Sequence, residues 1–295
     1  MFTNWRVLKR RAVPYLFISP FFVGFAVFWA YPIFYALRLS LFKGVGIDAS
    51  RTFAGLENYT RLWSDPRFLR ALFNTSYYAA ASVFVIVPLA IILAVIVSSD
   101  FVKLRHFFRL FFFTPVLTAS VVVAIMFTLI FEERYGLLNN VVLSPLGFPR
   151  LNWLLDARLI MPALIMVGIW KWTGINALYV TAGLQNIPKE VKEAANIDGA
   201  SQWQTFLYIT LPLLRPVLLF VVVLAIIGSY NLFAEPYLLV GAGPQDAGLF
   251  VTVYLYLTAF RHLDFGYASA IGYTMIVIIL TLSLIQLKLF GAFRK

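Results

Sequence analysis

Six long apolar stretches, separated by shorter polar segments, form the main pattern along this chain. Each is about 20 residues long or longer, which is the length that an α-helix needs to cross the hydrocarbon core of a bilayer. Apolar and polar residues hardly alternate with a period of two within them, so the pattern predicts helices rather than strands. The predicted spans are 14–42, 72–98, 110–131, 159–184, 213–240 and 267–290.

The polar segments on the outer side of these spans carry signals of local structure. Between the first two spans, Ser64 or Asp65 stands before Pro66, and such a side chain can cap a helix that starts at the proline. Between the last two spans, Gly241–Pro244 predicts a turn. Phe250–Tyr256 then predicts a short amphipathic piece at the membrane interface.

The polar segment after the fourth span predicts two short helices joined by a tight turn. Pro188 stands near the start of the first helix, and Gly199 can take the left-handed conformation that ends it. Ser201 and Gln204 form the pattern of a capping box, which marks the start of a second helix. This second helix is expected to end before Pro212, because a proline disfavours helical geometry in the preceding residue.

The composition indicates an integral membrane protein. Hydrophobic residues make up 61% of the chain and charged residues 13%, whereas soluble domains are about half apolar and a quarter charged. The net charge of +11 comes mostly from short segments between the spans, which is typical of membrane topology rather than of nucleic-acid binding. There is no cysteine, and His106 and His262 lie far apart, so neither a disulfide nor a metal site is predicted.

Six spans place both chain ends on one side of the membrane, and the basic residues assign that side to the cytoplasm. The predicted cytoplasmic segments carry more Lys and Arg per residue than the predicted outer segments. The apolar stretch after the amino terminus is longer than the core of a signal peptide, so we expect a retained first span. The basic clusters that favour this orientation are Lys9, Arg10, Arg11, Lys103, Arg105, Arg109, Arg294 and Lys295.

The segment after the fourth span also carries a longer motif. Glu193-Ala194-Ala195 is followed after three residues by Gly199, and after nine more by Ile209-Thr210-Leu211-Pro212. This pattern resembles the EAA loop of permease subunits in ATP-binding-cassette (ABC) importers. One departure from that family is Val240–Pro244, where an uninterrupted Gly-Gly-Pro is usual. Further segments resemble the carbohydrate-type (maltose- and glycerol-phosphate-like) permeases of the binding-protein-dependent transport family: Gly55–Tyr59, Ala182–Pro188 and Gly266–Ala270.

The resemblance implies an all-α integral membrane protein with six transmembrane helices and a cytoplasmic pair of coupling helices. It divides the chain into a cytoplasmic tail (1–12), a first transmembrane helix with an outer loop (13–71), a core permease domain (72–290) and a second cytoplasmic tail (291–295). In this family the EAA loop, here 188–212, is where the permease binds its ATPase. The residues expected to couple to the ATPase are Glu190, Glu193, Ala194, Ala195, Asp198 and Gly199.

The same resemblance implies a set of partners. A second, homologous permease would complete a heterodimer, two copies of an ABC ATPase would bind below it, and an extracytoplasmic solute-binding protein would dock above. The chain has no Gly-x-x-x-x-Gly-Lys-Ser/Thr phosphate loop, so we expect a transport subunit that is not an enzyme and has no cofactor of its own. ATP and Mg²⁺ are expected on the partner ATPase. The expected location is a prokaryotic plasma (inner) membrane, with lipid and no nucleic acid as a partner.

Polar residues inside two predicted spans are candidates for the solute pathway, because such residues usually face the interior of a helix bundle. In each span they recur at helical spacing and so share one helix face, which in the fifth span starts at Gly228. An aromatic ring can cover the apolar face of a sugar, while amides and a carboxylate can bond its hydroxyl groups. The candidates are Trp172, Asn176, Tyr179, Ser229, Tyr230, Asn231 and Glu235.

Other roles stay open for some of these residues. Asn176 and Asn231 could instead form hydrogen bonds between helices, which is a common form of packing in membranes. Lys171 could pair with Glu235 or extend toward the membrane surface.

The leading hypothesis is a permease for a sugar or oligosaccharide that works by alternating access. An alternative solute is a polyol or a glycerol phosphate, although a phosphate would favour more basic residues than Lys171 alone. A secondary transporter is less favoured, because only Lys171 and Glu235 could serve ion coupling within the spans. A membrane-embedded enzyme would need clustered Asp, Glu or His at bilayer depth, and the spans contain no such cluster.

Overall fold

The computed structural model describes residues 3–46, 52–99 and 105–291 of the chain. Helices make up nearly all of the secondary structure in these ranges. Several of the basic residues that favour the predicted orientation lie outside the described residues or have no described side chain: Lys9, Arg10, Arg11, Lys103, Arg105, Arg109, Arg294 and Lys295.

Five helices in the described part are long and apolar enough to cross a membrane, and a sixth candidate is a sharply bent helix pair. The prediction of an all-α protein with six spans is therefore confirmed when the bent pair counts as one span. The five long helical segments are Pro14–Ser40, Pro66–Ser98, Ile160–Gln185, Arg215–Leu239 and Phe265–Leu289.

Contacts within the chain divide it into two units, residues 1–64 with 255–274 and residues 65–254 with 275–295. The first unit begins with one long helix in which a π-helical turn, Ala26–Ala30, joins two α-helical parts. A two-residue antiparallel ladder and a short helix follow. The elements up to residue 64 are α1 (Thr3–Phe25), α2 (Tyr31–Ser40), β1 (Phe42–Lys43), β2 (Thr52–Phe53) and α3 (Glu57–Ser64).

Two of the segments that carry the family resemblance have structural roles in this first unit. Asn58 is buried, and its amide nitrogen donates to the carbonyl oxygens of Ser40 at 2.8 Å and Phe42 at 3.0 Å. Gly266 lies so close to the Phe42 carbonyl that a β-carbon at this position would come within 2.1 Å of the oxygen. These residues therefore fix the chain where it leaves the first long helix.

The second unit opens with the helix that was predicted from its capping signal. Asp65 is the N-cap of α4 (Pro66–Ala81), and its carboxylate accepts from the N–H of Arg67 at 2.9 Å. A π-helical turn, Ser82–Ile86, joins α4 to α5 (Val87–Ser98). The cap satisfies a backbone donor that has no partner within the helix, so the predicted start at Pro66 is confirmed.

The third predicted span is not one straight helix. α6 (Arg105–Leu117) and α7 (Ser120–Ile130) meet at an angle of 103° between Leu110–Leu117 and Ser120–Ile130. Pro115 lies inside α6 and removes a backbone donor near its end, which favours a break in the helix. Mean hydropathy does not register such a break, so the expectation of a continuous span over 110–131 is wrong.

The outer segment after α7 is organised around the buried side chain of Asn139. Its amide nitrogen donates to the carbonyl oxygens of Glu133 at 3.1 Å and Leu151 at 2.9 Å. Its oxygen accepts from the N–H of Leu151 and from the indole of Trp153, both at 3.2 Å. Nearby, the backbone N–H of Tyr135 donates to the Glu132 carboxylate and so lowers the pKa of that group.

The remaining helices follow in chain order from residue 160. Residues of α5, α8 and α12 form a core in which small side chains such as Ala90 and Ala177 allow close packing. Leu184 and Leu218 complete this core near the ends of their helices. The elements are α8 (Ile160–Gln185), α9 (Lys189–Ile197), α10 (Gln202–Thr205), α11 (Leu211–Leu213), α12 (Arg215–Tyr230), α13 (Ala234–Leu239), α14 (Val251–Tyr256) and α15 (Phe265–Leu289).

The segment 250–256, predicted to lie at the membrane interface, is largely buried in protein. Phe250, Val251 and Val253 are fully buried. The N–H of Val251 donates to the hydroxyl of Thr75 at 3.0 Å, and the hydroxyl of Tyr254 donates to the Asp65 carboxylate at 2.5 Å. An amphipathic pattern reports one apolar and one polar face, and here the apolar face packs against protein while protein groups satisfy the polar atoms. The position of this segment at the membrane interface stays a prediction.

Candidate functional site

The loop after α8 folds as two helices with a tight turn, as its sequence predicts. Gly199 ends α9 with a φ of 81°, which only glycine adopts without strain. The N–H of Ala200 then donates to the carbonyl of Ala195 at 3.0 Å, which satisfies an orphan acceptor at the end of the helix. Ser201 and Gln204 form the predicted capping box, with hydrogen bonds of 2.8 and 3.3 Å.

The helical chain does not stop before Pro212. After α10, a π-helical turn over Phe206–Thr210 leads into α11, in which Pro212 is the second residue. A proline in the first turn of a helix needs no backbone donor, so it does not interrupt this geometry. The expectation that the second helix ends before Pro212 is therefore wrong.

The side chains predicted to contact an ATPase lie mostly on the surface of this loop. Glu190, Glu193, Ala194, Asp198 and Gly199 are exposed, whereas Ala195 is buried. Two large apolar side chains, not singled out by the sequence reasoning, are exposed beside them: Ile197 at 86% and Trp203 at 67%.

Both ends of the loop are attached to the core of the second unit. Ile187 before the loop and Leu211 after it pack against the cluster formed by α5, α8 and α12. Leu214, the residue that follows α11, is fully buried in the same cluster. A displacement of the loop would therefore be transmitted to three helices.

The second unit contains a cavity of about 510 Å³ between α8 and the α12–α13 region. Six of the seven side chains proposed for the solute pathway line it: Trp172, Asn176, Tyr179, Ser229, Asn231 and Glu235. Tyr230 is absent from this lining, and its hydroxyl instead forms a 2.9 Å hydrogen bond with Ser76. Gly228 faces open space, because a β-carbon there would meet no atom within 4 Å.

The two asparagines do not donate between helices. The amide nitrogen of Asn176 donates to the carbonyl of Trp172 at 2.9 Å, one turn back in the same helix. That of Asn231 donates in the same way to Ile227 at 2.8 Å. Because both nitrogens bond within their own chain segment, they orient the amide groups at the cavity rather than tie two helices together.

Lys171 and Glu235, the two residues considered for ion coupling within the spans, form a pair at the cavity wall. The ammonium of Lys171 donates to the carboxylate of Glu235, so Lys171 does not extend to the membrane surface. The hydroxyl of Ser120 joins them, accepting from Lys171 at 3.0 Å and donating to Glu235 at 2.9 Å. Lys171 also lies 5.3 Å from the ring centre of Trp172. The pair connects α8 with α13 and the first turn of α7.

The sequence reasoning missed part of the lining because it considered only two spans. Tyr78 of α4, Ser82 of the following π-helical turn and Ser120 of α7 also line the cavity. All three are polar residues inside or beside predicted spans, which is the signal that could have found them. Their meeting at one cavity depends on tertiary packing, which spacing along one helix does not report.

A family model described as the binding-protein-dependent transport system inner membrane component matches residues 86–293. The chain belongs to this family. The resemblance to ABC importer permeases is thereby confirmed, and the chain is a multi-pass membrane component of a transport system.

Two relatives within this family match almost the whole chain. The chain is 41% identical over 295 residues to the arabinooligosaccharides transport system permease protein AraP of Bacillus subtilis (strain 168), with coverage of 99% of this chain and 93% of that protein. It is 34% identical over 277 residues to the lactose transport system permease protein LacF of Rhizobium radiobacter, with 92% of each covered.

The fold also matches a solved member of an ABC transporter. A chain in the crystal structure of a bacterial alginate ABC transporter, in complex with an alginate pentasaccharide-bound periplasmic protein, has a TM-score of 0.85 and 23% sequence identity. The match covers 99% of this chain and 98% of that chain. The fold of this family member is therefore that of an ABC transporter permease.

Proposed function

We propose that the chain is a permease subunit of an ABC importer for a sugar or oligosaccharide and forms the translocation path by alternating access. The cavity carries this proposal. Its volume of about 510 Å³ falls in the range of small-molecule sites, about 300–1,000 Å³. Its wall combines aromatic rings, amides and hydroxyl groups, which suit a saccharide with an apolar face and many hydroxyls.

The names of the relatives support the same class of solute. AraP is named for arabinooligosaccharides and LacF for lactose, and both are similar to this chain over nearly their whole length. A phosphate-bearing solute fits the cavity less well, because Lys171, the one cationic side chain among the described residues that line it, is already paired with Glu235.

The loop of α9 and α10 is the proposed contact with a separate ATPase. Exposed carboxylates of Glu190, Glu193 and Asp198 would meet basic groups, while Ile197 and Trp203 would enter an apolar recess. Closure of the ATPase dimer would move the loop, and Ile187 and Leu211 would pass that movement to the core helices. ATP and Mg²⁺ would bind to the ATPase and not to this chain.

The remaining partners in this proposal are a second, homologous permease and an extracytoplasmic solute-binding protein. A fold relative was solved with a periplasmic protein that holds an oligosaccharide, which supports the latter. Both termini would be cytoplasmic, because the basic residues concentrate on that side. The loop would then face the cytoplasmic ATPase, as the coupling requires.

The pathway can be tested in a reconstituted importer with Trp172→Ala. Loss of the ring that lines the cavity should raise the KM for oligosaccharide uptake by about tenfold, since stacking on an aromatic ring contributes on the order of 1–2 kcal/mol. Trp29→Ala is the matched control, because Trp29 is 65% exposed in the first unit. Equal KM values for both variants and the unmodified importer would contradict the proposed path.

A further inference from the structure

The Lys171–Glu235 pair at the cavity wall is unusual in its burial. Both residues are only 5% exposed, and each contacts the other as well as Ser120. A buried ion pair contributes little net stability, because the desolvation of both charges offsets their attraction. Its presence inside a membrane span therefore points to a role in the solute path rather than in folding.

The two charges of the pair cancel, so the net charge of the cavity wall is zero although the wall contains two charged groups. Among the described residues that line the cavity, Lys171 and Glu235 are the only ones with a formal charge. Aromatic, aliphatic, amide and hydroxyl side chains form the rest of the wall. Both charges are already satisfied, so neither offers a free counter-charge to a solute.

The free energy of entering this cavity therefore differs between neutral and charged saccharides. The hydroxyl groups of a neutral sugar lose water but can bond to amides such as Asn176 and Asn231. A carboxylate or an ammonium group loses much more hydration on entry, and it regains that loss only opposite an unpaired charge. Such a solute would have to break the Lys171–Glu235 pair in order to find one.

We propose that the mutual neutralisation of Lys171 and Glu235 keeps the pathway selective for uncharged saccharides, because neither residue leaves an unpaired charge that would admit a uronate-bearing or amino saccharide. This inference rests on the proposed function of the cavity as a saccharide path. Loss of the Glu235 carboxylate would leave a lone cation that attracts uronates. Loss of the Lys171 ammonium would leave a lone anion that attracts amino sugars.

The test is equilibrium binding to the complete importer in nanodiscs, with the second permease and the ATPase present. The solute-binding protein is left out, because its own selectivity would mask that of the cavity. The probes are three radiolabelled trisaccharides of equal length: one neutral, one with a single uronate and one with a single amino sugar. The variants are Glu235→Gln, Lys171→Gln and the double variant, which again has a neutral wall.

The unmodified importer should bind the neutral trisaccharide about tenfold more tightly than either charged one. Glu235→Gln should raise the affinity for the uronate trisaccharide, relative to that for the neutral one, by about tenfold. Lys171→Gln should raise the relative affinity for the amino-sugar trisaccharide by about tenfold. The double variant should keep the original preference for the neutral trisaccharide.

Two results would overturn the inference. One is an unmodified importer that binds a charged trisaccharide as tightly as the neutral one, which needs no variant to assemble. The other is that the single variants Glu235→Gln and Lys171→Gln both assemble and keep the affinity ratios of the unmodified importer. If Trp172→Ala weakens binding of all three probes while Glu235→Gln and Lys171→Gln leave the affinity ratios unchanged, the proposed path stands and only the charge preference fails. If no saccharide binds at all, both proposals fail.

Discussion

Single residues decide how closely the helices of the second unit approach one another. Gly174 in α8 packs against α6, and a β-carbon built there would lie 1.6 Å from the carbonyl oxygen of Phe112. Backbone atoms cannot move aside as the end of a flexible side chain can. Gly228 in α12 shows the opposite case, because a β-carbon there would face the open cavity.

The two glycines give a matched pair of substitutions. Gly174→Ala should destabilise the chain by about 1–3 kcal/mol, since α6 and α8 must move apart. Gly228→Ala should be neutral or stabilising by up to about 1 kcal/mol, because alanine favours a helix over glycine. Thermal unfolding of the detergent-purified complex measures both. Equal midpoints for the two variants would show that the contact with Phe112 does not limit the packing.

Residue positions within one helix could be predicted from the sequence, but contacts between helices could not. The spacing of Trp172, Asn176 and Tyr179 depends only on helical geometry, and all three line the cavity. The sequence did not predict Ser120 as part of the site, because the contact between Ser120 and Glu235 depends on where α7 packs. For Lys171 the sequence allowed either pairing with Glu235 or extension toward the membrane surface, because the distance to Glu235 also depends on how the helices pack.

Among the elements, the conformation of the loop of α9 and α10 is determined by residues within the loop itself. The glycine at 199 and the capping box at Ser201 are local signals, so the sequence predicted them correctly. Local rules failed where geometry deviated from the α-helix. The π-helical turn Phe206–Thr210 continues directly into α11, which contains Pro212. The break after Leu117 bends the third span.

The proposed coupling at this loop predicts the effect of a charge reversal. Glu193→Lys should lower transport-linked ATP hydrolysis about tenfold or more in the reconstituted importer, because the exposed carboxylate would become a cation facing basic groups of the ATPase. Glu133→Lys in the outer segment is the matched control and should leave hydrolysis unchanged. Unchanged assembly and hydrolysis in Glu193→Lys would refute the proposed contact.

The turn within the loop makes a second prediction at the scale of elements. Gly199→Val should strain the backbone by about 1–2 kcal/mol, because a side chain disfavours a φ of 81°. Gly199→Asn should cost less, since asparagine tolerates this conformation. Coupled uptake should therefore fall in the order glycine, asparagine, valine. Uptake by the valine variant equal to that of the unmodified importer would mean that the angle between α9 and α10 is not needed for coupling.

For the molecule as a whole, the family membership limits where the energy for transport can come from. The chain has no phosphate loop, and the charged side chains lining its cavity in the described part are paired with each other. A partner ATPase is the proposed source.

Proteoliposomes can separate these energy sources. The two permeases alone, under an imposed proton gradient, should take up no oligosaccharide above background. Uptake should begin when the ATPase, ATP, Mg²⁺ and solute-binding protein are supplied, and it should persist when the gradient is collapsed. Uptake driven by the gradient without ATP would instead favour a secondary transporter.

The bend between α6 and α7 has a consequence for the lipid around the protein. At 1.5 Å per residue, 13 and 11 residues give arms of about 20 Å and 16 Å, and each is shorter than the roughly 30 Å hydrocarbon layer. The bend takes the last carbonyls of α6 and the first amides of α7 out of the regular helical ladder. Thr118 satisfies two of these carbonyls, since its N–H donates to Pro115 at 3.2 Å and its hydroxyl to Thr114 at 3.4 Å. Acyl chains cannot solvate such groups. The backbone groups that stay without a partner at this corner therefore need protein or water beside them, which predicts that annular lipid does not cover the corner.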